Sequence, residues 1–137
     1  MSNYTSLENF NTNISFNIEN KKEEEKEKNY FDKNEWGPKM WDIMHIFSYN
    51  YDVNPDETTK KNAFNFFNSI CLLLPCDYCK NHCYQLIQNN PPEVDDKDKL
   101  VNWVLFFHNS VNRRLHKRTW TRTELDKKYD TGNAFCH

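Results

Sequence analysis

Apolar residues recur along much of this chain at every third or fourth position, which is the spacing of an amphipathic helix. The first such stretch runs from Asn34 to Tyr51, and its apolar face would consist of Trp36, Met40, Trp41, Met44, Phe47 and Tyr51. The sequence Asn54-Pro55-Asp56 interrupts this pattern and predicts the start of a second helix that extends to about Leu74. The inward positions of that helix would be Ala63, Phe64, Phe67, Ile70, Cys71 and Leu74.

Two further helices follow from the same pattern. The third would begin near Pro75, end before Pro91-Pro92 and use Leu86 and Ile87 as its core anchors. An acidic loop then leads into a fourth helix from about Lys99 to Lys117. The apolar face of the fourth helix would consist of Leu100, Trp103, Val104, Phe107, Val111 and Leu115.

A short last helix is predicted from Thr121 to about Tyr129, because Thr121 and Glu124 have the spacing of a capping box. No stretch of the chain alternates between apolar and polar residues as a half-buried strand does. Five helical segments with short connections predict an all-α helical bundle.

The length of 137 residues suits a single domain, which we assign to residues 30–130. Residues 1–29 are polar, end in a dense run of charges and offer no apolar face to bury, so we expect a disordered tail. Residues 131–137 would form a C-terminal tail.

Composition excludes several classes of function. The formal net charge of −2 indicates no nucleic-acid partner, and neither of the two glycines belongs to a phosphate-binding loop. No apolar run reaches the length of a membrane-spanning helix, and no secretory signal is visible at the N-terminus. We therefore expect neither a membrane nor a nucleic acid among the partners.

The candidate chemistry lies in a C-x-x-C motif formed by Cys76 and Cys79. The preceding Pro75 suits the first turn of a helix, so Cys76 would lie at a helix N-terminus, where free N–H groups favour a thiolate. Cys79 lies one turn further on the same face, close enough for a disulfide. This is the arrangement of a redox-active dithiol, but a buried structural pair and a metal site remain alternatives.

The metal alternative would be a non-enzymatic zinc-binding interaction module with ligands from Cys76, Cys79, His82 and Cys83. One continuous helix cannot easily wrap four such ligands around a tetrahedral ion. A thioredoxin-like oxidoreductase is a third interpretation, although its strands are missing. Of the remaining cysteines, we interpret Cys71 as an apolar core residue and Cys83 as a spare, partly buried thiol. Cys136 in the tail could be a shuttle, an interchain bond or a bystander, although a relay normally needs a pair of cysteines.

Several polar residues share the predicted apolar faces. His45 lies four positions after Trp41, and in isolation a core histidine bonded to a backbone carbonyl is the preferred interpretation. His108, Asn109 and Asn112 lie in or beside the apolar face of the fourth helix. A buried amide without a partner costs about 1–3 kcal/mol, so a ligand rich in donors and acceptors would be a suitable neighbour.

Three motifs together resemble a known family. They are Trp41-Asp42-Ile43-Met44-His45, Pro75-Cys76-Asp77-Tyr78-Cys79, and the run from Trp103 to Lys117 that contains His108-Asn109-x-Val111-Asn112. Their order and separation resemble the FAD-linked sulfhydryl oxidases of the Erv/ALR type, including the single-domain forms of large DNA viruses. The resemblance covers about Glu35 to Tyr129.

The resemblance implies a four-helix bundle plus a short fifth helix, with FAD bound at the mouth of the bundle. It implies that FAD is held by Gly37, Trp41, His45, His108, Asn109, Asn112 and Lys117, and that Lys128 and Tyr129 take the place of the family's Arg-Trp pair at the adenosine end. The implied reaction oxidises protein dithiols to disulfides and passes the electrons through FAD to oxygen, which gives hydrogen peroxide. Cys76 would exchange with the substrate, and Cys79 would face the flavin.

This sequence departs from the family pattern at three positions. The cysteines of a structural disulfide found in many members would fall at Leu105 and about Arg122, so that disulfide is lost. A glycine before the family's lysine is His116 here, which puts the local turn geometry in doubt.

The resemblance also implies partners and a setting. Members of the family are commonly homodimers packed through the first two helices, and we expect the same here. The resemblance suggests an enzyme of a large DNA virus, with a protist origin as the alternative. A viral origin would place the protein in the host cytoplasm or the virion, with thioredoxin-like or virion proteins as its substrates.

Overall fold

The computed structural model describes residues 27–130, which form five α-helices and no strand. These helices are α1 (Lys33–Tyr49), α2 (Glu57–Ser69), α3 (Asp77–Asn89), α4 (Lys97–Arg114) and α5 (Arg122–Tyr129). The prediction of an all-α bundle with a short fifth helix is therefore confirmed. Most of the two tails, with Cys136, lies outside the described residues.

Side chains that accept hydrogen bonds from the first turn define where most of the helices begin. Asp32, Asp56 and Asp96 accept from backbone N–H groups at 2.7–2.8 Å at the starts of α1, α2 and α4. Thr121 and Glu124 form the predicted capping box at the start of α5. These caps can be read from the sequence because each acts within three or four residues.

The second helix is shorter than predicted. It ends at Ser69, and a 3₁₀ turn over Ile70–Leu73 follows before Leu74 adopts an extended conformation. The residue before a proline is disfavoured in helical conformation, so Pro75 accounts for this break. Pro75 itself precedes the cap of α3 instead of occupying its first turn, which corrects the prediction for the start of that helix.

Helices α1 and α4 pack against each other along the core. The core residues are Met44, Phe67, Cys71, Leu74, Cys83, Ile87, Leu100, Trp103, Val104 and Phe107. Phe47 was predicted to lie inward, but 47% of its surface is exposed. A second cluster of Tyr49, Val101 and Leu125 holds α5 against the bundle, with Leu105 packed beside it.

A disulfide joins Cys71 to Cys83, with the two Cα atoms 5.5 Å apart. The predictions that Cys71 is a free core residue and Cys83 a spare thiol are therefore wrong. Cys71 lies in the 3₁₀ turn, which packs against α3, so its sulfur meets a cysteine of that helix. The bond closes a loop that contains both cysteines of the C-x-x-C motif.

Removing this disulfide should destabilise the fold. We expect Cys71→Ala/Cys83→Ala to lose roughly 3 kcal/mol of unfolding free energy, the value typical of a loop of this length. Urea titration of both proteins measures the difference. Excess reductant should lower the unfolding free energy of the wild type by the same amount and should change that of the variant little. Equal stability of the two proteins without reductant would contradict the expectation.

Arg122 ties α5 to α4 at the position where the family cysteine is lost. Its guanidinium donates to Asp98 at 2.9 Å, to Asn102 at 2.8 Å and to Asp126 at 2.8 Å. A polar network thus connects these helices in place of a covalent bond.

The end of α4 explains how a histidine replaces glycine at position 116. His116 has a positive φ of 55°, and the N–H groups of His116 and Lys117 donate to the carbonyls of Arg113 and Asn112. This is the Schellman arrangement that closes many helices and favours glycine at the position of His116. The turn geometry is therefore kept despite the substitution.

Within residues 27–130, no helix combines the length and the apolar composition needed to cross a bilayer.

Candidate active site

A cavity of about 400 Å³ lies between α1, α3, α4 and α5. All but one of the residues predicted to bind the cofactor line it, namely Gly37, Trp41, His45, His108, Asn112, Lys117, Lys128 and Tyr129. The exception is Asn109. Cys79 also lines this cavity, together with Cys83 of the disulfide. Residues that are far apart in the sequence therefore surround one space.

One wall of the cavity is a stack of rings. The His108 imidazole lies flat on Trp41, with 4.1 Å between ring centres and 8° between the planes. His45 Nε2 and His108 Nδ1 share a hydrogen bond at 2.9 Å, and the Tyr129 ring stacks on His45 at 5.1 Å. The Trp41 and His108 rings are nearly parallel, whereas the His45 ring is tilted by 40° to that of His108, so together they form an aromatic wall.

Burial lowers the pKa of His45 to about 4 and that of His108 to about 3, so both imidazoles are neutral at physiological pH. His45 lies on the inner face of α1, as predicted, but its partner is a second imidazole instead of a backbone carbonyl. Among the described residues, its Nδ1 atom is buried and has no hydrogen-bond partner. That atom is a bonding group available to a ligand.

The two neutral histidines should make the fold sensitive to acid. The unfolded chain binds a proton at each of them below pH 6.5, whereas the folded chain does not until about pH 4 for His45. Stability should therefore fall as the pH falls through 6.5, by about 2 kcal/mol per histidine at pH 5. Urea titrations at pH 5 and pH 7.5 measure this loss.

Variants can assign this pH dependence to the pair. His45→Gln/His108→Gln should flatten the dependence, whereas His116→Asn at the exposed end of α4 should leave it unchanged. An equally steep dependence in the double glutamine variant would contradict the assignment.

The two amides of α4 bond to the loop that follows the helix. Asn109 donates to the Trp120 carbonyl and accepts from the Trp120 N–H, both at 2.8 Å. Asn112 donates to the Arg118 carbonyl at 2.8 Å. The amides thus find partners within the chain, and they hold Trp120 at the edge of the cavity.

Asp42 connects α5 to α1 and is a residue for which the sequence pattern predicted no role. Its carboxylate accepts from the Tyr129 hydroxyl, and the Lys128 ammonium lies 3.5 Å away. Burial and this hydrogen bond raise the pKa of Tyr129, so its phenol stays protonated. The only sequence signal for Asp42 is its place between Trp41 and His45.

Cys76 and Cys79 are free thiols at the start of α3, and both are half-buried. Cys76 caps the helix, and its sulfur accepts from the Cys79 N–H at 3.4 Å. Hydrogen bonds from Cys79 lower the pKa of Cys76, whereas burial raises the pKa of Cys79. Cys76 is thus the outer, more acidic thiol, and Cys79 is the inner one on the cavity wall.

Comparison with known proteins agrees with this geometry. The sequence profile of the Erv1 / Alr family matches residues 38–130. The chain belongs to the Erv1 / Alr family.

Several proteins similar to this Erv1 / Alr chain are named as FAD-linked sulfhydryl oxidases. It is 28% identical over 95 residues to the FAD-linked sulfhydryl oxidase of African swine fever virus, an alignment that covers 69% of this chain and 80% of the viral protein. It is 26% identical to the mitochondrial FAD-linked sulfhydryl oxidase ERV1 of Saccharomyces cerevisiae, over 74% of this chain and 53% of the yeast protein. The solved FAD-binding domain of Saccharomyces cerevisiae Erv1 superposes on this chain with a TM-score of 0.70 at 26% sequence identity. The superposition covers 74% of this chain and 96% of the yeast domain.

Two cations on the cavity wall of this Erv1 / Alr domain were not predicted from the sequence. Lys33 and Arg114 both line the cavity. Burial raises the pKa of the Cys79 thiol, and these two positive charges partly offset that rise. The Arg114 guanidinium lies 5.6 Å from the centre of the Tyr78 ring, and in the described part of the chain its buried Nε has no acceptor.

The zinc alternative is not supported in this Erv1 / Alr domain. Cys83 is bonded to Cys71, and the His82 ring packs edge-on against Tyr78 at 4.4 Å. Within residues 27–130, no group of three or more histidine, cysteine or acidic side chains could hold a metal ion.

Proposed function

We propose that this protein is an FAD-linked sulfhydryl oxidase that forms disulfide bonds in protein substrates. The observation that carries the proposal is the position of Cys79, which lines the same cavity as the ring stack of Trp41 and His108. A redox dithiol therefore adjoins an aromatic wall in a fold shared with flavin-binding relatives.

The cavity residues suit FAD. Trp41, His108 and Tyr129 provide aromatic surfaces, and His45 Nδ1 is a buried polar atom that needs a partner. The cations Lys117, Arg118 and Lys128 also line the cavity and would balance the charge of a pyrophosphate. When bound, FAD would accept an electron pair from the dithiol and pass it to oxygen, which gives hydrogen peroxide.

The protein's own part of the reaction begins at Cys76. A substrate thiolate attacks the Cys76 sulfur of the oxidised pair, the Cys76–Cys79 bond breaks, and Cys79 leaves as a thiolate. A second substrate thiolate then attacks the substrate sulfur of the mixed disulfide and releases Cys76. Because its pKa is lowered, Cys76 is a good leaving group for this step. The substrate has lost two electrons, and the C-x-x-C pair holds them.

Cys79 then needs to be deprotonated beside the cavity. Burial disfavours its thiolate, while the charges of Lys33 and Arg114 favour it. The electron pair leaves the protein from Cys79, because this sulfur and not that of Cys76 lies on the cavity wall.

Two measurements on the purified protein test the proposal. The absorption spectrum should show bound flavin, and dithiothreitol should be oxidised with consumption of oxygen. Reduction by the dithiol without air should bleach the flavin band. Protein that contains stoichiometric zinc and no flavin would overturn the proposal.

We also propose that the protein acts as a homodimer through α1 and α2. Ile43, Ile46 and Phe47 of α1 and Phe66 of α2 are 40–47% exposed, and the Phe47 and Phe66 rings lie 5.5 Å apart. An exposed apolar patch of this kind is typical of a protein interface.

We propose that the protein is encoded by a large DNA virus and acts in the cytoplasm of the infected host cell or in the virion. Relatives encoded by African swine fever virus, iridescent viruses and mimivirus support this origin. The natural substrates would then be thioredoxin-like or virion proteins.

A further inference from the structure

Three exposed apolar side chains flank the outer redox cysteine. Leu73 is 89% exposed, the highest value for a large apolar side chain among the described residues, and Leu72 is 51% exposed. Tyr78, in the first turn of α3, is 63% exposed. We refer to Leu72, Leu73 and Tyr78 as the apolar rim.

The fold holds the two leucines outward. Their neighbours Cys71 and Leu74 are buried in the core, and the disulfide from Cys71 to Cys83 fixes the turn between them to α3. The leucines therefore cannot turn inward without displacing both buried neighbours. An apolar surface held in this way loses little conformational entropy when a partner covers it.

The chemistry at Cys76 determines what covers the apolar rim, and this step rests on the proposed function. In the mixed disulfide, a substrate sulfur lies about 2 Å from the Cys76 sulfur. Leu73 precedes Cys76 by three residues and Tyr78 follows it by two. Three residues of extended chain span at most about 11 Å. The residues next to the substrate cysteine can therefore reach the rim while that bond exists.

The charges beside the rim are mainly positive. The Arg114 guanidinium stacks over Tyr78, and neither Arg114 nor Lys33 forms an ion pair within residues 27–130. The acidic Asp77 is paired with Lys80 at 3.8 Å. We propose that the apolar rim is the docking surface for substrate polypeptides and fits a cysteine flanked by apolar residues with a carboxylate nearby.

Synthetic peptides can test this proposal. One peptide carries a Cys-x-x-Cys flanked by leucines and glutamates, and its counterpart has serines and lysines at the same positions. The full-length wild type should oxidise the first with a kcat/KM about tenfold higher, the ratio that about 1.4 kcal/mol produces. In Leu72→Ser/Leu73→Ser this preference should largely disappear through a higher KM, while dithiothreitol turnover stays within about twofold of the wild type.

Val53→Ser is the matched control. Val53 is 77% exposed and precedes α2, whereas Leu73 follows it. The 13 residues of α2 separate the two sites by about 20 Å at 1.5 Å per residue. This variant should keep the wild-type preference.

Three outcomes would overturn the proposal. They are equal kcat/KM values for the two peptides in the wild type, an unchanged preference in the double serine variant, and a change in solution mass on that substitution, which would assign the rim to a second copy of the chain. Failure of the proposed function looks different, because the wild type would then not oxidise dithiothreitol at all.

Discussion

Replacing either cysteine of the C-x-x-C pair by serine should abolish dithiol turnover. Cys76→Ser removes the sulfur that exchanges with the substrate, and Cys79→Ser removes the sulfur that lines the cavity. Loss of a covalent nucleophile commonly costs at least about a thousandfold in rate, and we expect a loss of that size for oxygen consumption with dithiothreitol.

The two variants should differ in their absorption spectra. Burial raises the pKa of Cys79, and the hydrogen bond and charge of Cys76 raise it further. Cys76→Ser removes that charge, because a serine hydroxyl stays neutral, and so favours a Cys79 thiolate. A thiolate against a bound flavin should give a long-wavelength charge-transfer band. Cys79→Ser should lack this band because the remaining sulfur does not line the cavity.

A matched control and a clear contradiction are available for this pair of variants. Cys136→Ser makes the same chemical change in the C-terminal tail and should keep wild-type turnover and spectrum. A charge-transfer band in Cys79→Ser instead of Cys76→Ser would reverse the roles assigned to the two cysteines.

The elements that could be predicted from the sequence are those fixed by short-range interactions. Helical spacing identified α1 and α4, and the capping box of Thr121 and Glu124 identified the start of α5. The C-x-x-C pair could be assigned to a helix N-terminus for the same reason. In each case, the deciding contacts lie within about four residues of each other.

Other features depend on long-range packing. The Cys71–Cys83 disulfide requires the 3₁₀ turn before Pro75, and helical periodicity alone extends α2 through that turn. Asp42 gains its partners only when α5 folds back onto α1. A local sequence pattern does not show which distant residues meet in the fold. The sequence therefore predicted a free thiol for Cys71 and no role for Asp42.

Asn109 and Asn112 show a finer distinction. Their position beside an apolar face correctly indicated that the amides need hydrogen-bond partners. The sequence pattern does not distinguish a ligand from the chain's own backbone as that partner. In the structure the Asn109 amide bonds to the Trp120 backbone. Asn112 lines the cavity, and among residues 27–130 its side chain donates one bond, to the Arg118 carbonyl. A direct role in FAD binding is therefore a better prediction for Asn112 than for Asn109.

The ring stack should control retention of the cofactor. His108→Ala removes the ring that stacks on Trp41 and leaves the Nε2 atom of His45 without its partner. A lost stack and a lost buried hydrogen bond together correspond to roughly 10- to 100-fold weaker binding. Asn112→Ala should weaken binding in the same direction. The flavin-to-protein ratio after gel filtration, and fluorescence titration of FAD-depleted protein, measure both effects.

Two comparisons separate a direct effect on the site from general damage to the fold. His108→Phe keeps a flat ring but cannot bond to His45, so its affinity should lie between those of the wild type and His108→Ala. His116→Ala, at the exposed turn after α4, should retain FAD as the wild type does. Helical circular dichroism should remain at the wild-type level in all these variants. Full retention of FAD by His108→Ala would show that the ring stack does not hold the cofactor.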